Sequence, residues 1–153
     1  MMSNPERVLV DNRKARHDYE ILETIEAGLV LTGTEIKSLR AGKGNLRDSY
    51  ARVEKREVVV QNFHITAYEQ GNRSNVDPLR PRKALLHRGE IQRLLVKTRE
   101  KGFALIPLKV YLSHGLAKME LGLGRGKRQY DKRAAIAERE TARERERALK
   151  TEH

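Results

Sequence analysis

Four short stretches bring cations close enough together to grip phosphate: NRKARH (12–17), KSLRAGK (37–43), RPRK (80–83) and GRGKR (124–128). Clustered Lys and Arg attract a polyanion by neutralising phosphates and releasing their counterions. Any one such run suits a solvated face equally well; four in one small chain point to nucleic acid. The whole sequence agrees, with 32 Lys and Arg against 21 Asp and Glu and a net charge of +11 over 153 residues. Residues 125–153 carry only four of those eleven excess charges, so body and terminal segment are both basic.

Residues suited to catalysis are missing or scattered. There is no Cys, which removes disulfides, thiolate zinc sites and thiol nucleophiles. His17, His64, His87, His114 and His153 show no paired ligand spacing. Ser38, Ser49, Ser74 and Ser113 lack a nucleophile context. GLGRGK (122–127) resembles a phosphate loop, but Arg128 stands where that motif needs Ser or Thr; it reads better as a flexible basic joint. The expectation is a protein with no enzyme activity, no cofactor and no metal. Aromatics make up only 5%, too few for base-by-base stacking, so folded RNA read through backbone, 2′-hydroxyls and shape fits better. No apolar run nears the ~20 residues of a membrane span, and MMSNPERVLV has no long apolar stretch of a signal peptide. A soluble, cytoplasmic, monomeric protein without a membrane partner is expected.

The elements that must position these cations are short. HDYEILETIEAGLVL (17–31) reads as a strand with a bulge or bend at Gly28. Thr32 and Glu35 have capping-box spacing before a two-turn helix with Ile36 and Leu39 on one face, stopped by Gly42 or Gly44. SYARVEKREVVVQNFHITAY (49–68) reads as a hairpin turning at 54–57, and EQGNRSNVDPLRPRK (69–83) as a loop. EIQRLLVKTREKG (90–102) is a helix with Ile91, Leu94 and Leu95 as its stripe, ended by Gly102. In the last hairpin Ile106, Leu108, Val110 and Leu112 face one way, and so do Ala117, Met119, Leu121 and Leu123 after a His114–Gly115 turn. Pro107 marks an edge or bulge. Many short antiparallel strands and few helices predict a mainly β fold, a small OB-like barrel with peripheral helices. Residues 1–11 read as a flexible N-terminus, 12–125 as the RNA-binding barrel, and 126–153 as a basic C-terminal tail. That tail offers only Ile136 and Leu149 as large apolar residues after Asp131. It is expected to be disordered when free and helical when bound, its ordering met on binding to RNA. On the residues alone, a generic OB-like RNA-binding factor and an RNA-acting enzyme remain alternatives.

One resemblance narrows the choice. NRKARHDYEILETIEAGLVLTGTEIKSLRAGK, then LRDSYA and the terminal GKRQYDKR, resemble the SsrA-binding protein family, also called small protein B, in one collinear order over roughly 11–150. The resemblance implies an OB-like barrel that partners transfer-messenger RNA in trans-translation, the rescue of stalled ribosomes. In such a protein the body holds the tRNA-like part of the RNA, and the tail enters the decoding centre and the empty message channel. Carried over by position, Asn12 and Glu26 match RNA-binding positions, with Arg13 and Lys14 beside the first. Lys37, Arg40, Arg80, Arg82 and Lys83 fall in matching basic motifs. Lys127, Arg128, Tyr130, Asp131, Lys132 and Arg133 match the tail motif assigned to the ribosome. Ala137 stands where the family often has Lys, and Thr141 near where it often has an aromatic.

Overall fold

Alternation of inward and outward side chains sets the architecture. A computed structural model describes residues 7–68, 76–100 and 102–127. In chain order they form β1 (Arg7–Asp11), α1 (Arg13–Asp18), β2 (Tyr19–Leu29), α2 (Gly33–Arg40), β3 (Gly44–Asn45), β4 (Tyr50–Glu54), β5 (Glu57–Gln61), β6 (His64–Ile65), β7 (Arg82–Leu85), α3 (Arg88–Arg99), β8 (Phe103–Ser113) and β9 (Leu116–Gly126). Strands β4, β5, β7, β2, β9 and β8 pair in that order, and β8 pairs β9 along its length but also meets β4, so the ring closes. Closure removes the open edges that a flat sheet would expose. Ile25, Ala27, Val58, Val60, Leu105, Val110, Met119 and Leu121 fill the interior, joined by Leu39 from α2 and Leu94 from α3. The expected mainly β, OB-like barrel with short peripheral helices is what the chain forms.

Turn chemistry fixes the hairpins. Lys55 and Arg56 both take positive φ (48° and 64°), as do His114 (52°) and Gly115 (79°); two such residues make the turn whose twist suits antiparallel strands. The capping box of α2 forms as spaced: the Glu35 amide donates to Thr32 Oγ1 at 3.2 Å, and the Thr32 amide to Glu35 Oε1 at 2.9 Å. Gly42, at φ 77°, follows the end of that helix.

Several expectations need correction. Residues 7–11 are anchored, not free: β1 pairs β8, with Val8 opposite Tyr111 and Asp11 opposite Lys109, and Val10 is buried. Two valines were too short a pattern to show a strand. The strand expected from His17 begins only at Tyr19, because α1, capped by Asn12, runs through Asp18; within the helix itself only Ala15 is buried. The irregularity in β2 lies between Ile21 and Glu23 rather than at Gly28, which pairs regularly with both Lys118 and Leu85. RPRK runs into a strand, since β7 takes Arg82 and Ala84 inward and Lys83 and Leu85 outward.

The last hairpin holds the subtlest correction. The register of β8 shifts between Pro107 and Lys109, so the bulge expected at the proline is real. It also swaps faces: Leu105 and Val110 enter the main core, whereas Ile106 and Leu108 pack in a second cluster with Ala15. Nor is GLGRGK a joint, because 122–126 belong to β9. Its glycines serve close packing. A Cβ at Gly122 would meet Leu108 at 2.9 Å, and one at Gly124 would meet the Glu20 carbonyl oxygen at 2.8 Å. The terminal segment from Arg128 onward lies outside the described residues.

Candidate nucleic-acid interface

The residues expected to meet RNA divide into those that build the surface and those that present charge. Asn12 is a builder. It is only 6% exposed, and both hydrogens of its amide are used: Nδ2 donates to Leu46 O at 3.2 Å and to Pro107 O at 2.9 Å. Its Oδ1 accepts from the Ala15 amide at 3.2 Å, which caps α1. Asn12, expected at the RNA, has its side-chain hydrogen-bonding groups engaged within the fold. The side chain instead sets α1 against the β8 bulge, and α1 presents Arg13 (93% exposed) and Lys14. Lys14 lies 3.9 Å from Asp18 and 3.3 Å from Asp48, so part of its charge is answered within the fold.

Arg82 is a builder too. It is completely buried, because two carbonyls and a carboxylate receive its fork. Nε and Nη2 donate to Glu35 Oε2 at 2.8 and 2.5 Å, and Nη1 donates to the carbonyls of Phe63 and, at 3.0 Å, Pro78. Arg80 Nη2 donates to the other Glu35 oxygen, Oε1, at 2.5 Å. Burial alone would raise the Glu35 carboxyl, but hydrogen bonds from Arg80, the Thr32 amide and Arg82 outweigh it and hold the group below its usual range. Burial pushes the Arg82 guanidinium down, with Glu35 opposing that shift. Arg82, expected at the RNA, is thus tied up inside the fold, and the basic motif holds a structural knot.

That knot orients α2. Its buried side is Glu35, Ser38 and Leu39, and Ser38 Oγ donates to Thr66 O at 2.6 Å. Lys37 and Arg40, one turn apart, are left exposed. Lys37 Nζ sits 5.8 Å from the centroid of the Tyr68 ring, and Arg7 Nη2 donates to Arg40 O at 3.3 Å. Arg7 and Tyr68 are members of this patch that sequence reasoning missed; Arg7 had been placed in a free terminus. Lys83 points outward from β7 and pairs with Glu57 at 3.1 Å. Lys127, the one described member of the expected tail set, is exposed and donates from Nζ to Arg16 O at 3.5 Å. Arg128, Tyr130, Asp131, Lys132 and Arg133 lie outside the described residues.

Glu26 belongs to another face. It is an exposed carboxylate on β2 that accepts a hydrogen bond from the Tyr111 hydroxyl. It lines a groove whose other walls include Gly28, Leu85, Leu86, His87 and Lys118. A carboxylate in such a place can accept from base amino or imino groups, as acids do in base readout. Among the described residues, no group of three or more His, Cys, Asp or Glu is arranged to hold a metal ion. No described helix is long and apolar enough to cross a membrane.

Comparison with known proteins agrees with this geometry. The SmpB protein family matches residues 9–151. The chain is 60% identical over 150 residues to the SsrA-binding protein of Desulforudis audaxviator, covering 98% of each. It is 56% identical over 148 residues to that of Carboxydothermus hydrogenoformans, covering 97% of this chain and 99% of the relative. A chain of the solved structure "tmRNA-SmpB: a journey to the center of the bacterial ribosome" superposes with a TM-score of 0.67 at 55% identity, over 80% of this chain and 85% of that one.

Proposed function

The chain belongs to the SmpB protein family, and from that premise we propose that it is a non-enzymatic adaptor binding transfer-messenger RNA for trans-translation. The observation that carries this reading is 60% identity over 98% of both chains to a protein called SsrA-binding protein. The body binds the tRNA-like part of the RNA. Cations of α1, α2, β7 and the segment leading into β7 (Arg13, Lys14, Lys37, Arg40, Arg80 and Lys83) meet phosphates, and Glu26 meets a base edge. Phosphate contacts fix orientation and supply much of the affinity, while a carboxylate aimed at a base adds selectivity. Asn12 and Arg82 act one layer beneath, by holding α1 and α2 in place.

The C-terminal segment then works on the ribosome. Lys127, Arg128, Tyr130, Asp131, Lys132 and Arg133 enter the decoding centre and empty message channel, where arginines and lysines neutralise ribosomal RNA phosphates and Tyr130 stacks on a base. The protein works in the cytoplasm, as a monomer, with no cofactor. The test pairs a binding titration against the tRNA-like RNA with a peptidyl-transfer assay on ribosomes lacking downstream message. Saturable, salt-sensitive binding together with RNA-dependent transfer is expected. Tight binding without any stimulation of transfer would leave only a generic RNA-binding barrel.

A further inference from the structure

The Glu26 carboxylate is held from two strands away. The register sets Glu26 of β2 opposite Glu120 of β9, and Glu120 opposite Lys109 of β8; the next outward row is Gly28, Lys118 and Tyr111. Tyr111 therefore reaches diagonally across β9 to donate its hydroxyl to Glu26 Oε2. Two strand spacings amount to about 10 Å, a gap that a long aromatic and a Glu leaning toward each other can close. Gly28 occupies the β2 position in Tyr111's own row.

Donor and acceptor differ in freedom. The Tyr111 side chain is buried, 5% exposed, with Lys109 Nζ 5.2 Å from its ring centroid, so the donor is fixed. Glu26 is exposed, and an exposed Glu samples several rotamers unless something pins it. Its neighbour supplies a further reason for a pin, because two carboxylates opposite each other repel. Arg16 draws Glu120 aside at 3.3 Å, while Tyr111 takes Glu26.

We propose that Tyr111 is a positioning residue for RNA recognition. By engaging Oε2 it fixes the Glu26 carboxylate over its groove with Oε1 free to accept from a base donor, so little rotamer freedom is lost when RNA arrives. The inference rests on the reading of Glu26 as an RNA contact.

The test is a double-mutant cycle read by titration with a transcript of the tRNA-like domain. Tyr111→Phe keeps the ring and removes the donor; it should weaken binding about threefold to tenfold. Glu26→Ala should weaken binding at least as much, and the double variant no further than Glu26→Ala alone. Glu26→Asp keeps Tyr111 and the charge but shortens the reach by one methylene. On its own it should weaken binding by about threefold to tenfold, a result that stands even if the phenylalanine variant folds poorly; where both fold, Tyr111→Phe should add nothing on top. The slope of affinity against salt should not change in any variant, because no phosphate contact is lost. If Glu26→Ala weakens binding while Tyr111→Phe and Glu26→Asp bind like the wild type, the pin is overturned and the RNA contact stands. If Glu26→Ala leaves affinity unchanged, the contact and the pin fall together. Additive losses would assign Tyr111 a separate, purely structural role.

Discussion

The Asn12 amide donates to the carbonyl of Pro107 at 2.9 Å, across 95 positions of sequence. Both residues sit where the outer edge of β8 changes partners: β4 meets it at Leu105, and β1 takes over from Lys109 to Leu112. Pro107 has no amide hydrogen, and the extra residue Leu108 breaks the ladder there. Two carbonyls near this seam would be left without ladder partners. The Asn12 backbone amide takes Leu108 O at 2.8 Å, and its side chain takes Pro107 O. A buried polar group with no partner costs about 1–3 kcal/mol, so one asparagine repairs a defect that the bulge creates.

Replacing Asn12 therefore acts through the fold. Asn12→Ala removes an N-cap and two donors, and should lower unfolding free energy by about 2–4 kcal/mol. Asn12→Asp keeps the cap acceptor but turns a carboxylate toward two carbonyls, and should be at least as damaging. Urea titrations give the stability loss directly. At temperatures where the variant is still folded, its RNA affinity should return to within about threefold of wild type. A large affinity loss in a fully stable Asn12→Ala protein would restore this residue to the RNA contact set.

The Glu35 knot should make stability depend on acid. Its carboxyl is held below the usual range by Arg80, Thr32 and Arg82 against the opposing effect of burial. Such a group stabilises the fold fully above the ordinary carboxylate value, about 4.3. That contribution is lost as pH falls through the lower folded-state value. Wild-type stability should thus decline in acid. Glu35→Gln should start about 3 kcal/mol lower at neutral pH, since Arg82 stays buried without its counter-charge, and should fall less steeply in acid. Parallel pH profiles for the two proteins would show that Glu35 does not set the dependence.

Lys37 and Arg40 give a prediction in salt rather than in pH. Both are exposed on α2, one turn apart. If they meet phosphates, each removed contact reduces the slope of log affinity against log salt by about 1. Lys37→Ala with Arg40→Ala should flatten the slope by about 2 and leave thermal stability within about 0.5 kcal/mol. Arg82→Ala should do the reverse, destabilising the fold while leaving the slope of the surviving folded protein alone.

What the sequence revealed follows the strength of local signals. The α2 capping box and the Lys55–Arg56 turn were readable because each needs only neighbouring residues. The closed barrel followed from strand count and alternation. What stayed hidden depended on distant partners. Arg82 reads as a surface cation until Glu35, 47 positions away, is placed against it. Asn12 and Glu26 both read as RNA contacts by position, yet burial separates them: the first is spent inside the fold, the second faces outward. Tyr111 gave no signal at all, because its role is a diagonal reach across β9 that only register discloses.

The last prediction separates barrel from terminal segment. Strand β9 runs to Gly126, and Lys127 hooks to the Arg16 carbonyl, so the ring is complete by that point. Among the described residues, the main core runs from Val10 to Leu121. Truncation after Lys127 should therefore leave a cooperatively melting domain whose midpoint moves by only a few degrees, a change of about 1 kcal/mol. It should still bind the tRNA-like RNA, since the proposed contacts of α1, α2, β7 and Glu26 are all retained, but fail to support peptidyl transfer on message-free ribosomes. In the full chain, replacing Asp131, Lys132 and Arg133 together by Ala should reproduce that split. Consecutive residues fan about 200° around a helix, an arrangement suited to a segment surrounded by RNA rather than one laid along a single groove. Matching losses in binding and transfer would place these three residues on the RNA-binding body. No loss in either assay would reduce the segment to a solvated run of charge.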